Sequence, residues 1–219
     1  MSVPSILAEI LAARRRRLAA GELAPRGAAK IPSDGARFLA ALREDGPRVI
    51  AEIKHRSPSA GTMLSGGRYS QPPGAPDGLD ELSSAIRAVA RAYRRAGAAA
   101  ISVVTEPDFF GGDLAWLPEV KRVSGLPVLM KDFVVDEVQL DLALSLGADA
   151  ILLIVAALED VSLGRLHRAG RERVFRLAFR HTPLDVVLYL GGQLRAGLVL
   201  LSVRQFPLDG LRDIADPAS

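Results

Sequence analysis

The fold is decided by a phrase that occurs twice: residues 95–104 read Arg-Ala-Gly-Ala-Ala-Ala-Ile-Ser-Val-Val, and residues 146–155 read Leu-Gly-Ala-Asp-Ala-Ile-Leu-Leu-Ile-Val. Each copy ends a helix-like segment, places a glycine, and continues into an apolar run. Glycine at this position supplies the left-handed residue that ends a helix before the chain turns into a sheet. The phrase predicts repeated βα units, either in a barrel or in an open doubly wound sheet.

Short apolar runs alternate with helical periods from Arg48 onward. Strands that are apolar on both faces and separated by helices predict right-handed βαβ units, a parallel sheet and the α/β class. The predicted strands are 48–54, 98–104, 127–131, 149–155, 174–180 and 197–203. The predicted helices are 5–20, 34–45, 80–96, 113–124, 136–146, 159–172 and 183–190, with Ser33 or Asp34 capping the second. The Gly/Pro-rich segment 61–79 is predicted to be a long loop without regular structure.

The composition is 49% hydrophobic and 5% aromatic with no cysteine, which predicts a globular protein and excludes disulfides and thiolate chemistry. The net charge of +3 favours an anionic small-molecule partner over nucleic acid. No apolar stretch reaches the roughly 18 residues of a membrane span, so we expect a cytoplasmic protein without membrane contact. The run Arg14 to Arg17 is interpreted as a solvated helix end rather than a phosphate or RNA patch. His55, His167 and His181 lack ligand-like spacing, which predicts no metal site.

Two of the four lysines, Lys54 and Lys131, close predicted strands. An ammonium can donate a proton whereas a guanidinium stays charged, so lysine at these positions suggests proton chemistry. Glu52 lies two residues before Lys54 and therefore on the same face of its strand. If these faces point into a barrel, a carboxylate and two ammoniums converge at the carboxyl-terminal rim, where barrel enzymes hold their catalytic groups. A buried structural ion pair between Glu52 and a lysine is the alternative.

Three segments carry a resemblance to a known family. They are residues 50–61, Ile-Ala-Glu-Ile-Lys-His-Arg-Ser-Pro-Ser-Ala-Gly; residues 101–112, Ile-Ser-Val-Val-Thr-Glu-Pro-Asp-Phe-Phe-Gly-Gly; and residues 127–136, which contain Lys131-Asp132-Phe133. In this order they resemble segments of indole-3-glycerol-phosphate synthase, the tryptophan-pathway enzyme that closes the indole ring. Ala148 to Leu158 is similar to the family's fourth strand, and the N-terminal helix to its extension ahead of the barrel.

The resemblance implies a TIM (β/α)₈-type barrel at residues 48–219, incomplete with about six βα units, preceded by a helical extension at residues 1–47. It implies conversion of 1-(2-carboxyphenylamino)-1-deoxyribulose 5-phosphate, an anionic phosphosugar, into indole-3-glycerol phosphate, carbon dioxide and water, without cofactor or metal.

The resemblance also implies roles for individual residues. Lys131 is expected to be the general acid on the substrate ketone, Lys54 to bind the anionic substrate and assist the acid–base steps, and Glu52 to orient both. Ser57 is expected near the substrate phosphate. The expected apolar walls for the anthranilate ring are Phe110 and Phe133.

Beyond Leu158 the resemblance weakens. If His181 stands for a histidine of the family's fifth strand, Phe179 occupies the place of the glutamate used in dehydration. Ser202 to Gln205 aligns with the family's sixth strand, where Arg204 alone is kept in kind and is expected to contact substrate or to form a rim ion pair. A sheet of six strands has two unpaired edges, through which homo- or hetero-oligomers could form.

These features leave alternative interpretations of function. The first is an active, shortened synthase-type lyase. The second is a catalytically impaired or non-catalytic descendant that acts as an interaction module or is a truncated copy. Another phosphosugar barrel, such as an isomerase, shares the fold but not the Lys131-Asp132-Phe133 phrase.

Overall fold

The structure is a computed structural model that describes residues 5–25, 27, 31–44, 48–58, 61–62, 64, 81–173, 176–180, 186–187 and 198–202. Its helices are α1 (Ser5–Ala19), α2 (Gly35–Arg43), α3 (Glu81–Arg95), α4 (Pro107–Phe110), α5 (Trp116–Ser124), α6 (Val138–Ser145) and α7 (Asp160–Glu172). Its strands are β1 (Arg48–Ile53), β2 (Arg56–Ser57), β3 (Gly61–Thr62), β4 (Ala100–Val104), β5 (Val128–Lys131), β6 (Ala150–Ile154), β7 (Arg176–Arg180), β8 (Val186–Val187) and β9 (Leu198–Ser202).

The main sheet contains six parallel strands among the described residues, in the order β7-β6-β5-β4-β1-β9, and β8 pairs antiparallel with β7 at one end. An open doubly wound sheet reverses its strand order at a switch point, whereas a barrel winds in one direction and brings its last strand beside its first. Here the order runs in one direction and β9 returns to β1. The fold is therefore α/β of the TIM-barrel type. Within the described residues no ladder joins β8 to β9, so the described strands do not form a closed ring.

Alternate residues of the parallel strands face two different layers of the core. The outer layer includes Ile53, Val103 and Met130, which belong to an apolar cluster with residues of α3, α5, α6 and α7. The inner layer places Phe38, Leu39 and Leu42 of α2 against Ile50, Ala100, Leu129, Ala150 and Leu152. Fully burying each large apolar side chain of α2 contributes about 1.5–3 kcal/mol. Because these strand residues lie in the first half or the middle of their strands, the polar inner residues are left at the carboxyl-terminal ends.

A buried ion pair joins α2 to the amino-terminal ends of the strands. Lys121 Nζ donates to Asp149 Oδ1 at 2.7 Å, to Gly147 O at 2.8 Å and to Pro32 O at 2.7 Å. The two charged side chains are 3% and 1% exposed. Asp34 N, at the start of α2, donates to the same Asp149 oxygen at 2.6 Å. All three ammonium protons of Lys121 therefore have acceptors.

Most predicted elements are confirmed. The six predicted strands appear as β1, β4, β5, β6, β7 and β9, and five predicted helices appear as α1, α2, α3, α6 and α7. Asp34 caps α2, because its side chain accepts a hydrogen bond from Arg37 N at 2.8 Å. The glycine stops of the repeated phrase are confirmed by positive φ angles of 81° at Gly97 and 78° at Gly147. Both α1 and α2 precede β1, and the division into residues 1–47 and 48–219 stays a prediction.

Several local predictions are wrong. Within the predicted helix 183–190, Val186–Val187 is the strand β8. The predicted loop 61–79 begins with β3, which pairs antiparallel with β2, and its other residues except Leu64 lie outside the described residues. The predicted helix 113–124 begins at Trp116, and the short helix α4 before it was not predicted. These elements are short and are held by contacts that local periodicity does not reveal.

Two longer-range predictions also need correction. The strand aligned with the family's sixth strand, β9, pairs with β1 and not with β7, so it occupies the position of a closing strand. Strand neighbours depend on how the whole chain winds, which the local sequence does not fix. In the arginine run, Arg14 is 1% exposed rather than solvated, because its guanidinium pairs with a buried carboxylate.

Candidate active site

Three predicted side chains meet at the carboxyl-terminal end of the inner layer. Lys54 Nζ lies 3.1 Å from Glu52 Oε1, and Lys131 Nζ contacts Glu52 Oε2. The glutamate side chain is 2% exposed, whereas the lysine side chains are 17% and 20% exposed. A buried carboxylate thus holds two ammoniums that both reach solvent. The cluster has an excess of positive charge, which suits an anionic ligand, and it contains groups able to donate a proton.

The environment of Glu52 favours its charged form. Burial raises the pKa of the Glu52 carboxyl, but the attraction of Lys131 and of Lys54 and their hydrogen bonds outweigh burial. The resulting pKa lies below the ordinary value of a glutamate. Glu52 is therefore a fixed negative charge between the two cations at neutral pH.

The strands bring the three residues together through their register. Glu52 of β1 pairs directly with Ser102 of β4, and Lys131 of β5 pairs with Val104 of the same strand. Because β4 separates β1 from β5, the Lys131 side chain crosses β4 to reach Glu52. The small side chain of Ser102 leaves room for this crossing. On the outer side, the Tyr93 hydroxyl of α3 donates to Glu52 O at 3.0 Å and ties β1 to that helix.

A second buried network holds the residue after Lys131. Asp132 is 1% exposed and its Oδ2 accepts from Arg14 Nη2 of α1 at 2.9 Å and from Thr105 Oγ1 at 2.6 Å. Its Oδ1 accepts from Phe133 N at 2.7 Å. The ion pair links the N-terminal helix to the loop after β5. Asp132 therefore orients the backbone of the Lys131-Asp132-Phe133 phrase.

The loop after β4 is organised by a buried glutamate. The Glu106 side chain accepts hydrogen bonds from the backbone N–H groups of Asp108 at 2.9 Å, Phe109 at 2.8 Å and Phe110 at 3.0 Å, and so begins α4. This places the Phe110 ring next to Phe133, with centroids 6.1 Å apart and planes inclined by 30°. Both rings are partly buried, and they form one aromatic wall from two neighbouring loops.

Contacts from two other segments fix α4. Arg17 of α1 makes two hydrogen bonds to the Asp108 carboxylate, at 2.9 and 2.7 Å, and Arg56 Nη2 donates to Asp108 O at 2.6 Å. The hydrogen bond from Arg17 lowers the pKa of the Asp108 carboxyl. After the helix, Gly112 lies so close to the strand that an added Cβ would be 2.4 Å from Val104 O. Helix α1 and the segment after β1 therefore both position α4 in the loop after β4.

The other predicted site residues are described only in part or lie outside the described residues. The Ser57 backbone pairs with Gly61, and its side chain lies outside the described part of the chain. Arg204 and His181 also lie outside the described residues, and Phe179 is described only as part of β7. Two of the cavities lined by described residues, one of about 620 Å³ on α7 and one of about 520 Å³ between α1 and α4, are lined by residues other than Glu52, Lys54 and Lys131.

Sequence reasoning missed three buried polar residues, Ser102, Glu106 and Asp132. Their positions in the sequence could have identified the two carboxylates, because Asp132 is the first residue after β5 and Glu106 is the second residue after β4. Polar groups at the carboxyl ends of parallel strands gather at one end of a barrel. No comparable signal exists for Ser102, which stands in an apolar run. Among the described residues no group of three His, Cys, Asp or Glu side chains could hold a metal ion, and the absence of a metal or cofactor stays a prediction.

The one-directional strand order and a carboxylate held between two ammoniums at the strand ends define a barrel-type α/β protein with a polar site at its carboxyl-terminal face. A protein-family model described as indole-3-glycerol phosphate synthase matches residues 77–176. Over these residues the chain is similar to the indole-3-glycerol phosphate synthase family. None of the described helices combines the length and the apolar character required to cross a bilayer.

Curated relatives extend this match over most of the chain. The chain is 41% identical over 182 residues to the indole-3-glycerol phosphate synthase of Micrococcus luteus, and this match covers 81% of the chain and 62% of the relative. It is 39% identical over 176 residues to indole-3-glycerol phosphate synthase 2 of Streptomyces coelicolor, covering 78% and 61%. It is 44% identical over 131 residues to the Nocardioides enzyme of the same name, covering 60% and 44%. The chain thus spans about three fifths or less of the lengths of these relatives.

Proposed function

We propose that the protein is an indole-3-glycerol-phosphate synthase-type carboxy-lyase of tryptophan biosynthesis. The substrate is 1-(2-carboxyphenylamino)-1-deoxyribulose 5-phosphate. The ring carbon that bears the carboxylate attacks the ketone carbon, carbon dioxide leaves that ring carbon, and the former ketone oxygen departs as water. The product is indole-3-glycerol phosphate, and the reaction needs neither an oxidant nor a reductant.

The observation that carries this proposal is the contact of both Lys54 and Lys131 with one buried carboxylate. Lys131 is the general acid that protonates the ketone oxygen, and its side chain is 20% exposed, which allows contact with a ligand. Lys54 binds the anionic substrate and assists the later proton transfers. Glu52 orients both ammoniums, since each of its oxygens holds one of them. Each such proton transfer typically contributes about 10²–10⁴ in rate.

The aromatic wall supports the assignment of the anthranilate ring. Phe110 and Phe133 stand on the loops after β4 and β5, next to the strand that ends in Lys131. An apolar wall beside cationic groups suits a substrate with an aromatic ring at one end and a phosphosugar at the other. We assign Ser57 to the phosphate and Arg204 to a further substrate contact, by resemblance alone.

The test is turnover by the purified protein. We expect indole fluorescence to appear when the carboxyphenylamino substrate is added, and Lys131→Ala to abolish it. Glu52→Gln should lower kcat by about 10²-fold or more, because both ammoniums lose their common acceptor. The matched control is Arg122→Met on α5, whose side chain is 55% exposed and away from the cluster, and which should keep full activity. Wild-type turnover no higher than that of Lys131→Ala would contradict the proposal.

The matches to proteins named as synthases support a lyase over a non-catalytic descendant. Association through an open sheet edge remains a proposal, in which β9 or β8, at the two ends of the described sheet, pairs with another chain. Sedimentation velocity tests it, since a monomer at all concentrations would argue against it. A cytoplasmic location is proposed from the biosynthetic role alone.

A further inference from the structure

The Ser102 hydroxyl is buried without a hydrogen-bond partner. Ser102 lies in β4 with an exposed fraction of 0%, and among the described residues nothing accepts from or donates to its Oγ. A buried polar group without a partner costs stability, and alanine would fill nearly the same space without that cost. We therefore expect the Ser102 hydroxyl to form a hydrogen bond in a second arrangement of the neighbouring side chains.

The position of Ser102 indicates which arrangement this is. The register pairs it directly with Glu52, and paired residues of parallel strands project from the same face of the sheet. Lys131 crosses β4 on this same face to reach Glu52 Oε2. The lysine side chain therefore passes over the strand that carries Ser102, on the face of the sheet from which Glu52 also projects.

Lys131 has to leave that carboxylate in order to act on a substrate. When its ammonium turns toward a ketone oxygen, Glu52 keeps Lys54 on Oε1 but loses the donor on Oε2. A carboxylate that is 2% exposed has little water to replace the lost hydrogen bond. A serine hydroxyl can rotate to donate in a new direction without moving the backbone.

We propose that Ser102 is a positioning residue, whose hydroxyl replaces the Lys131 ammonium as donor to Glu52 whenever Lys131 turns to the substrate. This inference rests on the proposed function for its purpose, since only a proton donor needs to leave its resting partner. The replacement lowers the cost of releasing the ammonium and keeps Glu52 ionised. It also accounts for a polar side chain in an otherwise apolar strand.

A double-mutant cycle tests the replacement without any need for activity. Urea unfolding is measured for the wild type, Ser102→Ala, Lys131→Met and the double variant. In the wild-type background we expect Ser102→Ala to leave the folding equilibrium constant unchanged or to raise it. In the Lys131→Met background the same change should lower it about ten- to a hundredfold, because the hydroxyl then donates to a charged carboxylate. Equal effects in the two backgrounds would overturn the inference.

One control and one alternative background make the cycle specific. Ser84 also has a buried hydroxyl without a partner among the described residues, but it lies on α3 and not on a strand beside Glu52, so Ser84→Ala should have the same effect in both backgrounds. If Lys131→Met does not fold, Lys131→Ala provides the second background with the same expectations.

Kinetics separate this role from packing. Ser102→Ala should lower kcat about tenfold with little change in KM, and Ser102→Cys, which keeps a weak donor of similar size, should recover part of the loss. A Ser102→Ala enzyme with wild-type kcat would contradict the inference. If the wild type shows no turnover, the proposed function fails while the unfolding cycle still decides the role of Ser102.

Discussion

Replacing Lys121 by methionine should be among the most damaging single changes in this protein, although the residue lies far from the lysine cluster. The substitution keeps the length of the side chain and removes the ammonium. Among the described residues, Asp149, which is 1% exposed, would then keep two backbone donors, Asp34 N at 2.6 Å and Val128 N at 2.8 Å. The carbonyl of Gly147 would also lose the donor it has at 2.8 Å.

The expected loss follows from this geometry. Removing one partner of a buried ion pair costs about 3–5 kcal/mol, because the other charge stays buried without compensation. Two remaining backbone N–H donors moderate the penalty on Asp149, whereas the orphaned carbonyls add to it. We therefore expect the free energy of unfolding to fall by about 4 kcal/mol.

Urea unfolding followed by circular dichroism measures this loss. The matched control is Arg122→Met, the next residue on α5, whose side chain is 55% exposed and pairs with Glu119. A surface pair of this kind contributes little, so the control should change stability by no more than about 0.5 kcal/mol. If Lys121→Met costs less than about 1 kcal/mol, the buried pair does not carry the structural role derived for it.

Four further substitutions test other contacts. Gly112→Ala should destabilise the protein, because its Cβ would lie 2.4 Å from Val104 O, whereas Gly164→Ala, with no atom within 4 Å of the added Cβ, should stabilise α7 by about 0.5–1 kcal/mol in thermal unfolding. The pKa of the Glu52 carboxyl is lower in the folded protein than in the unfolded chain, so its ionised form stabilises the fold above the unfolded pKa, and this stabilisation is lost as the pH falls through the folded pKa. Below about pH 4.5 the free energy of unfolding of Glu52→Gln should therefore fall less steeply with pH than that of the wild type. Urea unfolding at successive pH values measures this difference. Arg14→Met leaves a buried aspartate without its cation and should cost about 3 kcal/mol by urea unfolding, and an equal cost for an exposed neighbour in the same arginine run would refute the assigned ion pair.

The sequence predicted the parallel strands well because they depend on a local signal. Each is a short apolar run, and in two cases a glycine with φ near 80° precedes it at the end of a helix. The inward alternation of Glu52 and Lys54 follows from the geometry of a single strand. The contact between Glu52 and Lys131 depends on the order of the strands in a barrel. The sequence predicted that order only through the family resemblance.

The rest depended on contacts distant in the chain. Arg14 and Asp132 are 118 positions apart, and nothing near the arginine run indicates that one of its members is buried. The place of β9 beside β1 follows from the winding of the whole sheet, so an alignment to one strand signature could not give it. Ser102 was missed because an unpaired hydroxyl acquires meaning only from its neighbours across the sheet.

The lysines also show the limit of reasoning from residue type. The choice of lysine over arginine suggested proton chemistry, yet Lys121 has the same side chain and a buried carboxylate partner at the amino-terminal end of the barrel. What separates the two kinds of site is the access of the ammonium to solvent. Lys121 is 3% exposed with its three protons committed to three acceptors, so proton exchange with a ligand would require local unfolding. Lys54 and Lys131 are 17% and 20% exposed and share one carboxylate, so either can turn toward a ligand while Glu52 stays paired with the other.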